Sequence, residues 1–227
     1  MTDETETEMI FDRQYNIFNP KEQKINIVVV GCGSTGSFTI LTLAKLGFKN
    51  ITAIDFDKVE NLNIPHQFYR FSDIGEFKSK AIKEIVKDFT GLEIKTINKK
   101  IDEENRFLSN VNVDLNSIVI FCLDTIEARK FIYKEIKDMP IKLLDLRMGS
   151  DGYQIYVIDL ESESEKKEYE KLLNQEETPT TCGSKGTIYN ILSIASETCN
   201  ILKRMDKGEK YSKKLMREMA SLKILGS

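Results

Sequence analysis

The chain has 227 residues, 41% of them hydrophobic and 30% charged, which is typical of a soluble globular protein with one large domain or two small ones. Its net charge of −3 argues against general nucleic-acid binding, because a surface that binds nucleic acid is usually basic. The sequence has no run of roughly 18 apolar residues, so no membrane span is expected.

Residues 1–10 are acidic and lack the apolar core of a signal peptide, so we expect a disordered lead-in. The four cysteines lie far apart and form no Cys-x-x-Cys pair: Cys32, Cys122, Cys182 and Cys199. This spacing disfavours a structural zinc site and indicates reduced thiols in a cytoplasmic setting. Since His66 is the single histidine, few side chains are available for general acid–base catalysis.

Apolar segments typical of β-strands recur along the chain, at 25–30, 50–55, 93–98, 117–122, 141–146 and 153–159. Helical patterns lie between several of these segments, at 35–47, 77–88 and 125–137. The alternation of strand and helix predicts an α/β fold with a mainly parallel sheet.

The pattern changes after residue 160. Residues 160–185 are rich in Glu, Lys and Ser, and they predict a charged helix followed by a mobile loop. Residues 186–203 again have a helical apolar pattern. We therefore expect one domain over 11–205, followed by a basic amphipathic helix over 206–227 that packs on the domain or on a partner.

The segment Gly31-Cys32-Gly33-Ser34-Thr35-Gly36 joins the first predicted strand to the first predicted helix. In this G-x-G-x-x-G pattern the first glycine allows a tight turn, the second lets a phosphate approach the backbone, and the third packs the helix on the strand. The helix N-terminus then offers free N–H groups to an anion. Asp55 follows Gly36 by 19 residues, close to the spacing of an acid that binds a ribose hydroxyl. The first hypothesis is therefore a nucleotide site.

The segment after the second strand is rich in polar side chains: Asp57, Asn61, Asn63, His66, Gln67, Arg70 and Lys78. In isolation, such a segment fits a solvated connection between elements. Its position favours a binding site instead, because ligands of open α/β sheets lie beyond the carboxyl ends of the strands. Lys78 would there act as a cationic point charge against phosphates.

Three further residues have two interpretations each. Asp124 follows a predicted strand, and it would either cap the next helix or hold Mg²⁺ against the phosphates of a nucleotide. Arg13 precedes the first strand and would either face solvent or serve a site. Cys182 comes just before a helix, where the helix dipole lowers the pKa of a thiol, so it would be either a reactive thiolate or an inert thiol.

The order of these motifs resembles the ThiF/MoeB/E1 family of adenylating enzymes, which activate ubiquitin-like or sulfur-carrier proteins. The resemblance spans about residues 10–205. Its motifs are Arg13-Gln14, the glycine segment, Asp55-Phe56-Asp57 with Val59 and Asn63, Gln67, Gly75 to Lys78, Leu123-Asp124-Thr125 with Arg129, Leu146-Arg147-Met148-Gly149, and Cys182.

The resemblance implies a Rossmann-like, mainly parallel sheet flanked by helices, with antiparallel strands following the nucleotide-binding half. It implies an ATP-dependent adenylyltransferase that converts the C-terminal carboxylate of a ubiquitin-like or sulfur-carrier protein into an acyl-adenylate. Thioester or persulfide transfer at Cys182 would follow. ATP and Mg²⁺ are the implied cofactors, with the metal on Asp124, and a homodimer is implied in which Arg13 acts on the partner's site.

The residues to which the resemblance gives roles fall into two groups. The implied catalytic residues are Arg13, Lys78, Asp124 and Cys182. The implied nucleotide-binding residues are Gly31, Gly33, Ser34, Gly36, Asp55, Asp57, Asn63, His66, Gln67 and Lys78.

Two departures from the family pattern stand out. The family's arginine before Gln67 is replaced by His66, and a neutral imidazole binds phosphate less well than a guanidinium. Arg70 or another cation would have to compensate. The family's zinc-binding Cys-x-x-Cys pairs are absent from the sequence, so no zinc is expected.

Three other functions stay open. An NAD-dependent oxidoreductase would use the same glycine turn, but it would leave Lys78 and Asp124 without a role. A degenerate member would bind a nucleotide or a ubiquitin-like partner without turnover, and His66 keeps this alternative open. A relative that adenylates a small molecule or an RNA base is a third alternative, although the acidic composition disfavours RNA.

Overall fold

A computed structural model describes residues 11–149, 151–174 and 187–219, together with the backbone of 223–226. Within these residues the strands form one eight-stranded sheet. In chain order the strands are β1 (Asn26–Val30), β2 (Ile51–Ile54), β3 (Lys95–Ile97), β4 (Ser117–Phe121), β5 (Lys142–Met148), β6 (Gly152–Asp159), β7 (Lys214–Glu218) and β8 (Lys223–Gly226). The acidic lead-in predicted over residues 1–10 lies outside the described residues.

The helices are α1 (Ser34–Leu46), α2 (Lys78–Thr90), α3 (Phe107–Asn110), α4 (Ile126–Ile136), α5 (Glu163–Asn174) and α6 (Ile188–Asp206). Short 3-10 turns lie at Asp12–Gln14, Pro20–Glu22, Asn61–Asn63 and Phe71–Asp73. Among the described helices, none is both long and apolar enough to cross a bilayer.

The sheet is parallel in its first half and antiparallel in its second. Its strand order is β3-β2-β1-β4-β5-β6-β7-β8, and the pairings from β3 to β5 are parallel. The pairings from β5 to β8 are antiparallel. The chain reverses its direction of travel across the sheet between β1 and β4, and in such folds this switch point forms a crevice at the carboxyl ends of the strands. The predicted fold class is confirmed.

Helices cover both faces of the sheet. Helices α1, α2 and α6 pack on the face that carries Ile27 and Val29 of β1, while α3, α4 and α5 pack on the face that carries Val28 and Val30. Both faces of β1 are thus buried, which explains why its sequence is apolar without alternation. The C-terminal ends of β1, β2 and β4 are the part of this layered core from which the site is built.

The predicted C-terminal helix over 206–227 is wrong. Helix α6 ends at Asp206, and the following segment forms β7 and β8. In β7, Leu215 is buried opposite Ile155 of β6, whereas its neighbour Lys214 is exposed. Without β7, the backbone groups of β6 would form an open edge, and pairing satisfies them. This tertiary requirement prevails over the helical amphipathicity of the sequence.

Asp206 fixes the end of α6 to the chain just before β1. Its buried carboxylate oxygen Oδ1 accepts hydrogen bonds from the backbone N–H groups of Lys24 at 2.7 Å and Ile25 at 3.0 Å. The same helix packs along α1 in parallel, since the first turns of both helices share an apolar cluster of Phe38 and Ile191. The N-termini of α1 and α6 therefore lie at the same edge of the sheet.

We expect Asp206→Ala to lower the free energy of unfolding by about 2 kcal/mol, because two buried N–H groups lose a charged acceptor. Asp206→Asn keeps one acceptor oxygen at the same place and should lose about half as much. Urea denaturation of the three proteins measures both differences. Equal stability of Asp206→Ala and the wild type would contradict the tie between α6 and β1.

Candidate functional site

Gly31 and Gly36 hold the start of α1 against the end of β1. Gly31 has a φ of +97°, which favours glycine, and a β-carbon there would lie 2.5 Å from the carbonyl oxygen of Cys122. A β-carbon on Gly36 would lie 1.8 Å from the carbonyl oxygen of Gly31. Both positions therefore exclude any side chain, which agrees with the turning and packing roles predicted for the first and third glycines.

Gly33 and the first turn of α1 are open on the side away from the core. A β-carbon on Gly33 would meet nothing within 4 Å among the described residues. Gly33 occupies the N-cap position, and no side chain caps the helix there. The backbone N–H groups of the first turn, from Ser34 onward, consequently have no acceptor within the helix. This end of α1 is suited to an anion that approaches the backbone closely.

Asp55 lies beneath the glycine segment rather than beside an open groove. Its side chain is 8% exposed, and its oxygens accept N–H bonds from Cys32 at 2.6 Å and from Asp57 at 2.8 Å. Burial raises the pKa of Asp55, while the Cys32 bond and the charge of Lys78 oppose this shift. Asp55 thus anchors the segment, and its role as a ribose acceptor stays a prediction.

Lys78 is the first residue of α2 and lies almost fully buried at the end of β2. Its Nζ atom is 3.0 Å from Oδ2 of Asp57, whose side chain is half exposed, and its backbone N–H donates to the Asp57 carbonyl. A cation in the first turn of a helix is opposed by the positive end of the helix dipole. Lys78 nevertheless lies in this turn, and its ammonium group, paired with Asp57, is located at the carboxyl edge of the sheet.

The segment between β2 and α2 is folded back on itself. The Asn63 side chain accepts from the Glu60 N–H at 2.9 Å, and the Asn63 carbonyl accepts from the N–H groups of His66 and Gln67. His66 is half-buried. The Gln67 Oε1 atom is buried and has no hydrogen-bond partner within the described residues. An unmatched buried acceptor at this place is the kind of group that a bound ligand satisfies.

Arg70 does not take the place of the family arginine. Its guanidinium is bound by Asp73 at 2.9 Å and by Asp88 at 2.6 Å. Asp88 lies near the C-terminal end of α2, about 15 Å along the helix from Lys78. Arg70 is therefore held away from the site, and the expectation that it compensates for His66 is not supported.

Asp124 is exposed immediately after β4, one strand away from β1. The alternative interpretation as a helix cap is wrong, because the Thr125 hydroxyl accepts from the Ala128 N–H and caps α4. The backbone on each side of Asp124 is fixed by Arg129, which donates to the carbonyls of Leu123 at 2.5 Å and Thr125 at 3.1 Å. The turn that carries Asp124 is thus fixed by Arg129, and the Asp124 carboxylate does not cap the helix that follows it.

A buried carboxylate holds Arg129 in place. Asp145 of β5 is fully buried, and its oxygens contact Arg129 at 2.8 Å, Arg147 at 2.7 Å and the Tyr169 hydroxyl at 3.1 Å. An aspartate inside an apolar strand is a sequence signal for such a pair, since buried carboxylates need partners. This residue was missed by motif analysis, although it supports the turn that carries Asp124.

Arg13 lies at the opposite edge of the sheet from the glycine segment. Its neighbour Gln14 donates a side-chain hydrogen bond to the carbonyl of Leu46, the last residue of α1. Helix α1 is about 20 Å long, so Arg13 cannot reach the glycine segment of its own chain. Arg13 is exposed there.

Cys182 lies outside the described residues, so its role stays a prediction. The cysteines within the described residues are poor nucleophiles, because burial raises the pKa of each thiol: Cys32, Cys122 and Cys199, the last to about 12. Cys32 and Cys199 lie in the apolar core, and Cys122 packs against it.

The described residues can hold a magnesium ion only with the help of a ligand. They contain no group of three or more His, Cys, Asp or Glu side chains placed to bind a metal. Magnesium commonly takes one or two carboxylates and completes its shell with phosphate oxygens and water. Asp124, exposed at the same edge as the open turn of α1, fits that donor set.

A model of the ThiF family matches residues 11–220 of the chain. The chain belongs to the ThiF family. The resemblance inferred from the sequence motifs is confirmed, and the match covers the glycine segment, the Asp55 to Lys78 region and the Asp124 turn described above.

Named relatives of this ThiF-family chain are activating enzymes and adenylyltransferases. The NEDD8-activating enzyme E1 catalytic subunit of Arabidopsis thaliana is 36% identical over 111 residues, 48% of this chain and 23% of that protein. The molybdopterin-synthase adenylyltransferase of Haemophilus influenzae is 28% identical over 120 residues, 52% of this chain and 48% of that protein. The matched part thus spans less than half of each relative's length.

Solved structures share the fold at low sequence identity. PaaA superposes with a TM-score of 0.78 at 16% identity, over 100% of this chain and 74% of the PaaA chain. Escherichia coli MccB, in a structure with AMPCPP and MccA, superposes with a TM-score of 0.72 at 18% identity, over 92% of this chain and 65% of the MccB chain. These similarities show that the chain shares its fold with PaaA and MccB.

Two glycine substitutions test the geometry of the ThiF-type turn. Gly36→Ala places a β-carbon 1.8 Å from the Gly31 carbonyl, so we expect a loss of about 3 kcal/mol of folding free energy. Gly33→Ala meets no atom within 4 Å, so we expect a clearly smaller loss, of about 1 kcal/mol or less. Urea denaturation measures both, and equal stability of the two variants would contradict this geometry.

Proposed function

We propose that the protein is an ATP-dependent adenylyltransferase that activates the C-terminal carboxylate of a ubiquitin-like or sulfur-carrier protein. The observation that carries this proposal is the combination of an open, uncapped α1 N-terminus with Lys78 and an exposed Asp124 carboxylate at one edge of the sheet. Membership of the ThiF family supports it, as do relatives that are adenylyltransferases and ubiquitin-like-protein activating enzymes.

In the proposed reaction, a carboxylate oxygen of the carrier forms a bond with the α-phosphorus of ATP. The bond from that phosphorus to the bridging oxygen breaks, and pyrophosphate leaves with the electron pair. The nucleophile is already an anion at neutral pH, so no general base is required and a single histidine is no obstacle. The chemical difficulty is repulsion between the carboxylate and the phosphates, which cations and N–H groups must offset.

The residues of this chain fit that requirement. The N–H groups of the first α1 turn would bind a phosphate that lies over Gly33. Lys78 would exchange part of its contact with Asp57 for contact with the phosphates, and the half-exposed Asp57 carboxylate could then accept a hydrogen bond from the nucleotide. The buried Gln67 acceptor, which lacks a partner among the described residues, would gain one from the ligand.

Asp124 would hold Mg²⁺, which supplies positive charge against the phosphates and the leaving pyrophosphate. Arg129 and Asp145 would keep the turn that carries Asp124 rigid, so that the carboxylate is already in place before the ligand binds. The protein would be cytoplasmic, and transfer of the activated carrier to Cys182 would be a later step.

Arg13 would act on the site of a partner subunit in a homodimer. The supporting observation is its position about 20 Å from the glycine segment of its own chain. A guanidinium from the partner would add a cation to a site whose own family arginine is replaced by His66.

A degenerate module that binds a nucleotide or a ubiquitin-like protein without turnover is the second candidate. His66 favours it, because the site has one fewer guanidinium and Arg70 is already bound by two carboxylates. Carrier-dependent exchange of pyrophosphate into ATP distinguishes the two, because a binding module shows none. The NAD-dependent alternative leaves the exposed Asp124 without a role.

We expect Lys78→Ala and Asp124→Ala each to lower carrier-dependent ATP–pyrophosphate exchange by at least about a hundredfold, because each removes charge stabilisation from the transition state. The carrier in the assay is a small protein that ends in Gly-Gly. Lys80→Ala and Glu127→Ala are matched controls, since these exposed residues lie in the first turns of α2 and α4, two and three positions after Lys78 and Asp124. Wild-type exchange in either Lys78→Ala or Asp124→Ala would contradict the assignment of that residue.

Mixing Arg13→Ala with Lys78→Ala tests action between subunits. If Arg13 serves the partner's site, each mixed dimer has one intact site, and random reassociation restores about a quarter of wild-type exchange. If Arg13 acts within its own chain, neither site is intact and the mixture stays inactive. Each variant alone and a mixture that is not allowed to exchange subunits are the controls.

His66→Arg restores the guanidinium of the family pattern. We expect it to lower the KM for ATP several-fold, roughly threefold to tenfold, because guanidinium forms stronger, bidentate contacts with phosphate. His66→Ala is the comparison variant and should raise the KM or leave it unchanged. An unchanged or higher KM in His66→Arg would show that this position does not face phosphate in this protein.

A further inference from the structure

Two side chains hold the backbone of Cys32, at the centre of the glycine segment. The Cys32 N–H donates to Oδ2 of Asp55 at 2.6 Å, and the Cys32 carbonyl accepts from the Tyr69 hydroxyl at 2.6 Å. Asp55 comes from the end of β2, and Tyr69 comes from the segment between β2 and α2. The residue is thus fixed from both sides by groups outside its own turn.

The two bonds set the orientation of two successive peptide planes. A peptide unit is planar and trans, so its C=O and N–H groups point in opposite directions. The bond from Asp55 fixes the plane between Gly31 and Cys32, and the bond from Tyr69 fixes the plane between Cys32 and Gly33. The Gly33 N–H therefore points away from Tyr69, and its direction is set by the Tyr69 hydroxyl.

Both side chains that make these bonds are buried, so water has little access to replace either bond. Tyr69 is 7% exposed and Asp55 is 8% exposed. Burial raises the pKa of Tyr69, so its hydroxyl remains a hydrogen-bond donor across the physiological range. A buried carbonyl that loses its donor is left unsatisfied, which favours a reorientation of its peptide plane.

We propose that Tyr69 is a positioning residue for nucleotide phosphates. It acts through the Cys32 carbonyl to keep Gly33 and the first N–H groups of α1 in the orientation that receives an anion. The effect on ATP rests on the proposed function, whereas the effect on the turn does not. Sequence motifs did not point to Tyr69, because its role depends on a contact with a residue 37 positions away.

Tyr69→Phe tests this role by removing only the hydroxyl. We expect amide hydrogen exchange of Cys32 and Ser37, whose N–H groups donate to Asp55 and to the Gly33 carbonyl, to become about tenfold faster in the nucleotide-free protein. The dissociation constant for Mg²⁺–ATP, measured by calorimetry, should rise about tenfold. Tyr153→Phe is the matched control, because Tyr153 is 3% exposed and its hydroxyl bonds Ser193 of α6 instead of the turn. That control should stay within about twofold of the wild type in both measurements.

Exchange at Cys32 and Ser37 that is equal in Tyr69→Phe, Tyr153→Phe and the wild type would overturn the proposal. If exchange is faster in Tyr69→Phe but the wild-type protein does not bind ATP, the positioning role would be supported and the proposed function contradicted. If Tyr69→Phe does not fold, Asp55→Ala tests the other bond to Cys32 in the same way. It removes the acceptor of the Cys32 N–H, so it should also accelerate exchange at Cys32 and Ser37.

Discussion

The close approach of Gly36 to the Gly31 carbonyl is the constraint on which the candidate site depends. Because no side chain separates these residues, α1 begins directly against the end of β1. Gly31 in turn lies against the carbonyl of Cys122, so the same turn is wedged between β1 and β4. This arrangement places the uncapped end of α1 at the sheet edge where the Lys78 ammonium and the Asp124 turn also lie.

Among the site residues at this edge of the sheet, carboxylates outnumber cations. Asp55, Asp57 and Asp124 stand there with Lys78, and Arg70 is held by its own carboxylates. A bound triphosphate would add further negative charge, and His66 supplies less positive charge than the family arginine. The proposed adenylation therefore depends on cations from outside the chain, namely Mg²⁺ and the Arg13 of a partner subunit.

The parts of the fold and site that follow from local pattern could be predicted from the sequence. The first six strands and the glycine turn depend on short-range periodicity and spacing, and their placement is confirmed. Strands β7 and β8 could not be predicted, because their partner is the edge of β6 rather than a nearby segment. Tyr69 and Asp145 were missed because their contacts join distant parts of the chain. The sequence alone does not distinguish Asp124 from Thr125 as the cap of α4, because either side chain can accept an N–H bond there; the structure shows that Thr125 is the cap.

Equilibrium binding of ATP with Mg²⁺ against binding of NAD to the purified wild-type protein tests the central claim most directly. Isothermal titration with each ligand at the same protein concentration provides both affinities, and ATP without magnesium provides the metal dependence. The protein should bind ATP in the presence of Mg²⁺, and its affinity for ATP should fall markedly when Mg²⁺ is removed. It should show little or no binding of NAD. Tighter binding of NAD than of Mg²⁺–ATP, or ATP binding that is indifferent to the metal, would contradict the account.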